Sequence, residues 1–258
     1  MPTLNQLKKE LNNLANPTQA KNLAWFFKTG KGEYGEGDIF LGIKVPVQRA
    51  VVKKYVDLNL QDIEKLFLSK IHEYRLSALL ILMAKYKKGN AKEKEDIFKI
   101  YLKNTKNINN WDLVDLSAPK IVGEHLLHNH PFNSPPFDFV QGRPLKGGDK
   151  RTKTSREILY KLARSKNFWE RRIAIISTFA FIHVDDFRDT LKISEILVFD
   201  SHDLIHKAVG WALREVGKRN LGFEEEFLKK YYHKMPRTML RYAIEKFPEN
   251  KRKFYLKK

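Results

Sequence analysis

The chain has no cysteine among its 258 residues, and that absence removes several chemistries at once. Disulfide frameworks, cysteine-ligated zinc, iron–sulfur clusters and thiol nucleophiles are all excluded. Redox compartment stays open, because a chain without thiols suits either. Long apolar runs are missing too, since none approaches the roughly 20 residues needed to cross a bilayer. The opening stretch MPTLNQLKKELNNLANP has neither a signal-peptide core nor a cleavage site, so a cytoplasmic address is expected. Negative charge is also in deficit, with 30 Asp and Glu against 49 Lys and Arg, a formal net charge of +19. Such a balance favours a polyanionic partner, because phosphate backbones attract Lys and Arg without regard to sequence. Basic proteins also bind acidic membranes, so charge alone names no partner.

Sustained alternation of apolar and polar residues is scarce, and apolar positions instead recur at three and four. With 42% hydrophobic and 31% charged residues, the composition is that of a folded chain with a sizeable core. The spacing predicts helices over Thr3–Ala15, Thr18–Thr29, Pro46–Val56, Leu60–Ser69, Glu73–Lys87, Lys92–Leu102 and Asp115–Leu127. More are predicted over Ser155–Ala163, Phe168–Phe181, Phe187–Val198, His202–Lys218, Glu224–Tyr232 and Pro236–Phe247. Helices of this length joined by short polar turns imply an all-α fold, a curved array of antiparallel helix pairs, in one domain over residues 1–258. A compact bundle is the plainer alternative.

Two regions break the pattern. His128–Thr154 holds the Pro135-Pro136 pair, Pro144 and the Gly147-Gly148 pair, and reads as a basic loop inserted at about 132–154. From Gln141 to Lys166 there are nine Lys or Arg against two acidic residues, and the tail Lys246–Lys258 has six against one. Such runs are usually solvated faces. Two of them in a helical array also suit nucleic-acid contact, with Arg151 and Lys153 as auxiliary contacts.

Three clusters stand out. In NNWDLVDLSAP, Trp111 and Asp115 are four apart and share a helix face, and Asp112 is three from Asp115. Asn110 or Asp112 suits the helix N-cap, a role assigned to Asp112 because it sits at the helix start. In SKNFWERRIAIISTFAFI, Phe168, Ile173, Ile176 and Phe179 mark a buried side. Arg171 and Arg172 precede the most apolar stretch, either as surface ion pairs or as forked donors edging a groove. In HDLIHKAVGWALREVGKR, Lys207, Trp211, Arg214 and Lys218 form one basic and aromatic stripe, although a lone helical Trp more often belongs to a core. Gly210 beside Trp211 is a helix-weakening residue whose usual return is close approach by another helix or a ligand.

No cofactor motif appears. GKGEYGEG, Gly30–Gly37, lacks the Gly-Lys-Ser/Thr ending of a phosphate loop and lies between helices. His202 and His206 have metal-ligand spacing, and no third ligand is evident nearby.

The stretches FLGIKVPVQR, NNWDLVDLSAP, FWERRIAI, HKAVGWALREVGKR and MPRTMLRYAIEKF, in this order and across nearly the whole chain, resemble the AlkD-like DNA alkylation repair family, DNA glycosylases built from HEAT-like repeats. The resemblance implies excision of cationic N3- and N7-alkylated purines from duplex DNA, with no metal or organic cofactor and without flipping the damaged base. It places the catalytic aspartate on Asp115, its aromatic neighbour on Trp111, the groove arginine on Arg172 and the second tryptophan on Trp211. A family tyrosine aligns with Phe26, which keeps a ring and loses a hydroxyl. Lys207, Arg214 and Lys218 are then backbone contacts for DNA, and a monomer with no membrane partner is expected. The competing reading is a non-catalytic helical scaffold that binds nucleic acid or protein.

Overall fold

A computed structural model describes residues 2–128 and 150–257, with side chains from Arg156 onward in the second stretch. Most of the inserted segment, including the side chains of Arg151 and Lys153, lies outside the described residues. Among the described residues all regular structure is helical, apart from one parallel bridge between Ile39 and Ile71.

Two compact units make up the chain, residues 1–117 and 118–258. The first holds α1 (Leu4–Asn13), α2 (Pro17–Phe26), α3 (Val45–Val52), α4 (Leu60–Phe67), α5 (His72–Lys88), α6 (Ala91–Lys103) and most of α7 (Trp111–Ala118). Helix starts follow local chemistry. Thr3 and Asn90 each form a capping box, with Gln6 and Glu93 respectively, so donors that the helix leaves unpaired are satisfied by side chains. Asn16 caps α2 and Pro17 opens it, a place where a missing N–H costs nothing.

α5 is the axle of this unit and packs against α3, α4 and α6. Its buried residues run through His72, Glu73, Tyr74, Arg75, Leu76, Leu79 and Leu82, so polar and charged side chains are enclosed at its start. The Glu73 carboxylate accepts from the backbone N–H groups of Leu41 (2.9 Å), Gly42 (2.8 Å) and Ile43 (3.3 Å). Gln48 donates to the Glu73 carbonyl and to Ser77. These bonds fasten the FLGIKVPVQR stretch to α5 and satisfy backbone groups that no helix or sheet pairs. At Gly42, φ is 85° and a Cβ would stand 2.2 Å from the Asn16 carbonyl oxygen, so no side chain fits.

The second unit holds α8 (Glu124–His128), α9 (Lys150–Ala163), α10 (Phe168–Ser177), α11 (Phe179–Ile182), α12 (Arg188–Leu197), α13 (Asp203–Arg219), α14 (Leu221–Tyr231), α15 (Arg237–Ala243) and α16 (Glu249–Leu256). Helices near in sequence pack together, α9 on α10, α12 and α14 on α13, and α15 on α13. Arg156 on α9 is enclosed, pairs with Asp186 (2.7 Å) and Asp189 (2.6 Å), and lies over the Phe181 ring at 4.1 Å. A buried guanidinium needs such partners to offset its lost hydration.

Three expectations change. The helix expected over Asp115–Leu127 begins at Trp111 and widens into a π turn over Pro119–Gly123 before α8. Pro119 has no N–H for the carbonyl four residues back, and its ring would clash there, so the α-helical ladder is interrupted. α9 starts at Lys150 rather than Ser155, so the last residues of the expected loop are helical. The basic tail contains α16, whose Tyr255 is buried against Phe247 (5.8 Å between ring centroids) and Tyr232 (5.2 Å). Its many lysines hide a short apolar anchor that spacing alone did not reveal.

Candidate active site at the head of α7

The first turn of α7 holds Trp111 and Asp112, and Asp115 follows one turn on. The Asn110 side-chain oxygen accepts from the Trp111 N–H (2.8 Å) and its carbonyl from the Val114 N–H (3.1 Å). Asn110, fully buried, is therefore the residue at the helix start, and the cap assigned to Asp112 moves to it. Asp112 does something else: its Oδ2 lies 2.8 Å from Nε2 of His72. The other ring nitrogen, Nδ1, lies 3.2 Å from Oδ2 of Asp38, which also pairs with Arg75 at 2.6 Å. His72, Arg75 and Asp38 are almost fully enclosed, and the Asp112 side chain is 18% exposed.

The His72 ring stacks on Phe40 (4.6 Å) and Phe27 (5.3 Å). Burial by itself works to lower an imidazole pKa, but the charge and hydrogen bond of Asp112, joined by the bond from Asp38, outweigh it and raise His72 to about 9, against some opposition from Arg75. Both ring nitrogens face carboxylate oxygens, so the imidazolium form fits the geometry without a repulsive lone pair. Of these polar residues only Asp112 was singled out by motif, and in another role. The available signal was HEYR at the start of a helix whose next residues, SALLILMA, are apolar all round, which places charges where a core should be.

Trp111 is half-buried, and its indole Nε1 donates to the Tyr34 hydroxyl at 3.3 Å. Its ring meets Phe26 edge-on at 5.9 Å and Phe27 at 5.2 Å. Phe26 is 53% exposed and packs beside Trp111. It brings no hydroxyl, and Tyr34, from the glycine-rich stretch, brings one. Asp115 is half-buried, and its negative charge adds to burial in pushing the enclosed Tyr101 phenol up, while the bond from Tyr101 to Ser117 (3.0 Å) works the other way.

Arg172 and Trp211 belong to the second unit. Arg172 is 5% exposed, and its Nη1 donates to the Leu204 carbonyl at the start of α13. It therefore lies inside the packing of α10 on α13 rather than at a surface. Its neighbour Arg171 forms the ion pair, bidentate to Asp200 at 2.6 and 3.1 Å. Trp211 is half-buried, meets Phe179 edge-on at 4.6 Å and donates to Glu215 at 3.2 Å.

The α13 stripe is less positive than it reads. Lys207 pairs with Asp203 at 2.7 Å, Arg214 with Glu245 and with Glu215 at 3.5 Å, and Lys218 with Glu215 at 2.7 Å. Each cation has a carboxylate from its own helix or from the segment after α15. His202 caps α13 through Nδ1 (3.1 Å) and stacks on Phe168 (3.9 Å), and His206 bonds the Asp200 carbonyl, so the pair is used structurally. Among the described residues no group of three His, Asp or Glu could hold a metal ion, and no helix is long and apolar enough to cross a membrane.

Helix pairs packed on one another among the described residues, an aspartate and a tryptophan one turn apart on one helix, and a strong excess of positive charge suit a protein that handles a polyanion. The model of the DNA alkylation repair enzyme family matches residues 7–247, and the chain belongs to that family. A structure described as a predicted DNA alkylation repair enzyme from Enterococcus faecalis is similar over 91% of this chain and 97% of its own, with a TM-score of 0.66 and 19% identity. AlkD2 from Streptococcus mutans is similar over 94% of this chain and 99% of its own, with a TM-score of 0.53 and 15% identity. At these identities the likeness is one of fold. No curated protein matches the chain.

Proposed function

We propose that this chain is a DNA glycosylase that removes cationic N3- and N7-alkylated purines from duplex DNA, without extruding the base, and that residues 1–258 serve that one task. The supporting observation is the head of α7, where Trp111 and Asp115 are both half-buried, one turn apart, on a basic protein of the DNA alkylation repair family. Alkylation at N3 or N7 makes the purine a cationic leaving group. As the C1′–N bond breaks, the base takes the bonding electrons and becomes neutral, and the sugar gains oxocarbenium character. The Asp115 carboxylate stabilises that charge and accepts the proton of the water whose oxygen bonds to C1′. The ring face of Trp111 favours the cationic centre, and Trp211 is proposed as a second aromatic contact with the sugar–phosphate backbone. Phe26, Lys207, Arg214 and Lys218, with Arg151 and Lys153, are the contacts proposed to hold the duplex without reading its sequence. Arg172, whose Nη1 donates to the Leu204 carbonyl, is proposed as the groove arginine beside the phosphates.

The pairing of every α13 cation with a carboxylate favours one other reading, a non-catalytic scaffold that binds nucleic acid or protein. One assay separates them. Incubation with duplex DNA carrying 7-methylguanine, with free base detected by mass, yields 7-methylguanine above the spontaneous rate if the chain is a glycosylase. Binding without release supports the scaffold.

A further inference from the structure

We infer that the glycine-rich strap over residues 30–38 positions the head of α7 through two handles, the Tyr34 hydroxyl on the Trp111 indole and Asp38 acting through His72 on Asp112. The inference rests on the glycosylase reading and names the side chains that hold Trp111 and the helix turn ahead of Asp115 in place.

The strap has a defined shape. Glu33 accepts from the Gly30 N–H and Glu36 from the Gly32 N–H, both at 2.8 Å. Gly32 and Gly37 have φ of 77° and 88°, a backbone that side chains rarely adopt. The Gly35 N–H donates to the Lys28 carbonyl at 2.9 Å, and a Cβ there would stand 2.4 Å from the Phe27 carbonyl oxygen. The middle of the strap therefore lies directly on the end of α2. Its far end is tied as firmly, since the Ile39 N–H donates to the Lys70 carbonyl (2.9 Å) and the His72 N–H to the Ile39 carbonyl (2.8 Å). With both ends fixed, Tyr34 and Asp38 have defined places.

The two handles reach consecutive residues. Tyr34 accepts from Trp111 at 3.3 Å, and Asp38 reaches Asp112 through the imidazole at 3.2 and 2.8 Å. Oδ1 of Asp112 is buried with no partner among the described residues, so the hydrogen bond to His72 is what orients that carboxylate. A flat ring with a donor at each end, packed against the Phe40 and Phe27 rings, transmits position more rigidly than a flexible lysine. Stability alone is a poor account of it. Buried charge networks seldom outperform apolar side chains of similar volume, and the better-attested return is a specified geometry. The geometry specified is that of the turn carrying Trp111, with Asp115 one turn further along the same helix. Tyr34 and His72 are thus positioning residues that touch no reacting atom.

The test uses the full chain with Tyr34→Phe, which removes only a hydroxyl, and His72→Gln, which leaves a single donor nitrogen, with a carbonyl oxygen beside it, for two carboxylates on opposite sides. Three quantities are read: the Trp111 indole N–H resonance, assigned with Trp111→Phe, single-turnover release of 7-methylguanine, and affinity for undamaged duplex of the same sequence. Tyr34→Phe is expected to shift that resonance, slow release about 3- to 10-fold and leave affinity within about twofold. His72→Gln is expected to shift it too and slow release by about tenfold or more. An unshifted Trp111 resonance in Tyr34→Phe overturns the inference, and so does release at the parent rate in both variants. If His72→Gln fails to fold, Tyr34→Phe still decides, because it removes a single oxygen from a half-buried side chain. If the parent releases no 7-methylguanine, the glycosylase reading falls, while the resonance still shows whether the strap holds Trp111.

Discussion

Asp115 places a negative charge at a half-buried point of a protein with net charge +19, and its removal is the sharpest probe of the proposed chemistry. Asp115→Asn keeps size and hydrogen-bonding reach and loses the charge proposed to face the developing cation. Single-turnover excision of 7-methylguanine, corrected for spontaneous loss, is expected to fall about 10²-fold or more. Binding to intact duplex should hold or improve, because a repulsion from phosphate disappears. Asp112→Asn is not expected to be silent, since Asp112 holds His72 at 2.8 Å. His72 and Glu224 also make stability depend on pH. The unfolded imidazole titrates near 6.5 and the folded one near 9, so the folded chain keeps a proton that the unfolded chain sheds across that window. Stability from this site is fully present below pH 6.5, falls as pH rises towards 9 and levels off above. Burial, with the charge of Glu225 adding, pushes Glu224 from 4.5 to about 9, so its contribution declines over that wider window. Urea unfolding between pH 5 and 10 should show both declines. His72→Gln should flatten the first and Glu224→Gln the second.

At the scale of elements, α13 shows how spacing and packing divide the information. The stripe of Lys207, Trp211, Arg214 and Lys218 was visible from spacing, and so was the reason for Gly210. A Cβ there would stand 2.4 Å from the Met239 carbonyl oxygen and 2.5 Å from the Tyr242 Cβ, so α13 and α15 touch backbone to backbone. Gly210→Ala should destabilise the protein by about 1–3 kcal/mol in urea unfolding, because overpacking outweighs the gain in helix propensity. The carboxylates that neutralise the stripe were not legible as a set. Glu245 lies 31 residues from Arg214 and meets it only once α15 packs on α13. Glu215 accepts from Trp211 (3.2 Å) and Lys218 (2.7 Å), so Glu215→Gln frees positive charge at the proposed DNA contact. Duplex affinity measured by fluorescence anisotropy should rise by about twofold or more, with a steeper salt dependence. No change on either count would remove the α13 stripe from the DNA contact.

For the whole molecule, the positive charge predicts binding that is sensitive to salt and indifferent to sequence. The logarithm of the association constant should fall linearly with the logarithm of salt concentration, with a slope of about −0.9 for each phosphate neutralised. A flat titration from low to high salt would rule out the electrostatic account. Helical periodicity, capping residues and the positions of proline determined the all-helical class and most helix limits in the sequence itself, because those signals are carried by residues within a turn or two of each other. The same holds for Trp111 and Asp115, which four-residue spacing puts on one face. Only the tertiary structure decided which charges are enclosed. Asp38, His72 and Asp112 are separated by 34 and 40 residues along the chain and form one contact line when the strap, α5 and α7 pack together. Burial likewise put Arg172, which spacing left open between a surface ion pair and a groove donor, on the Leu204 carbonyl where α10 meets α13. The physical reason is range. Backbone hydrogen bonds and caps are satisfied locally, whereas a buried charge finds its partner wherever desolvation makes pairing obligatory, at any distance in sequence.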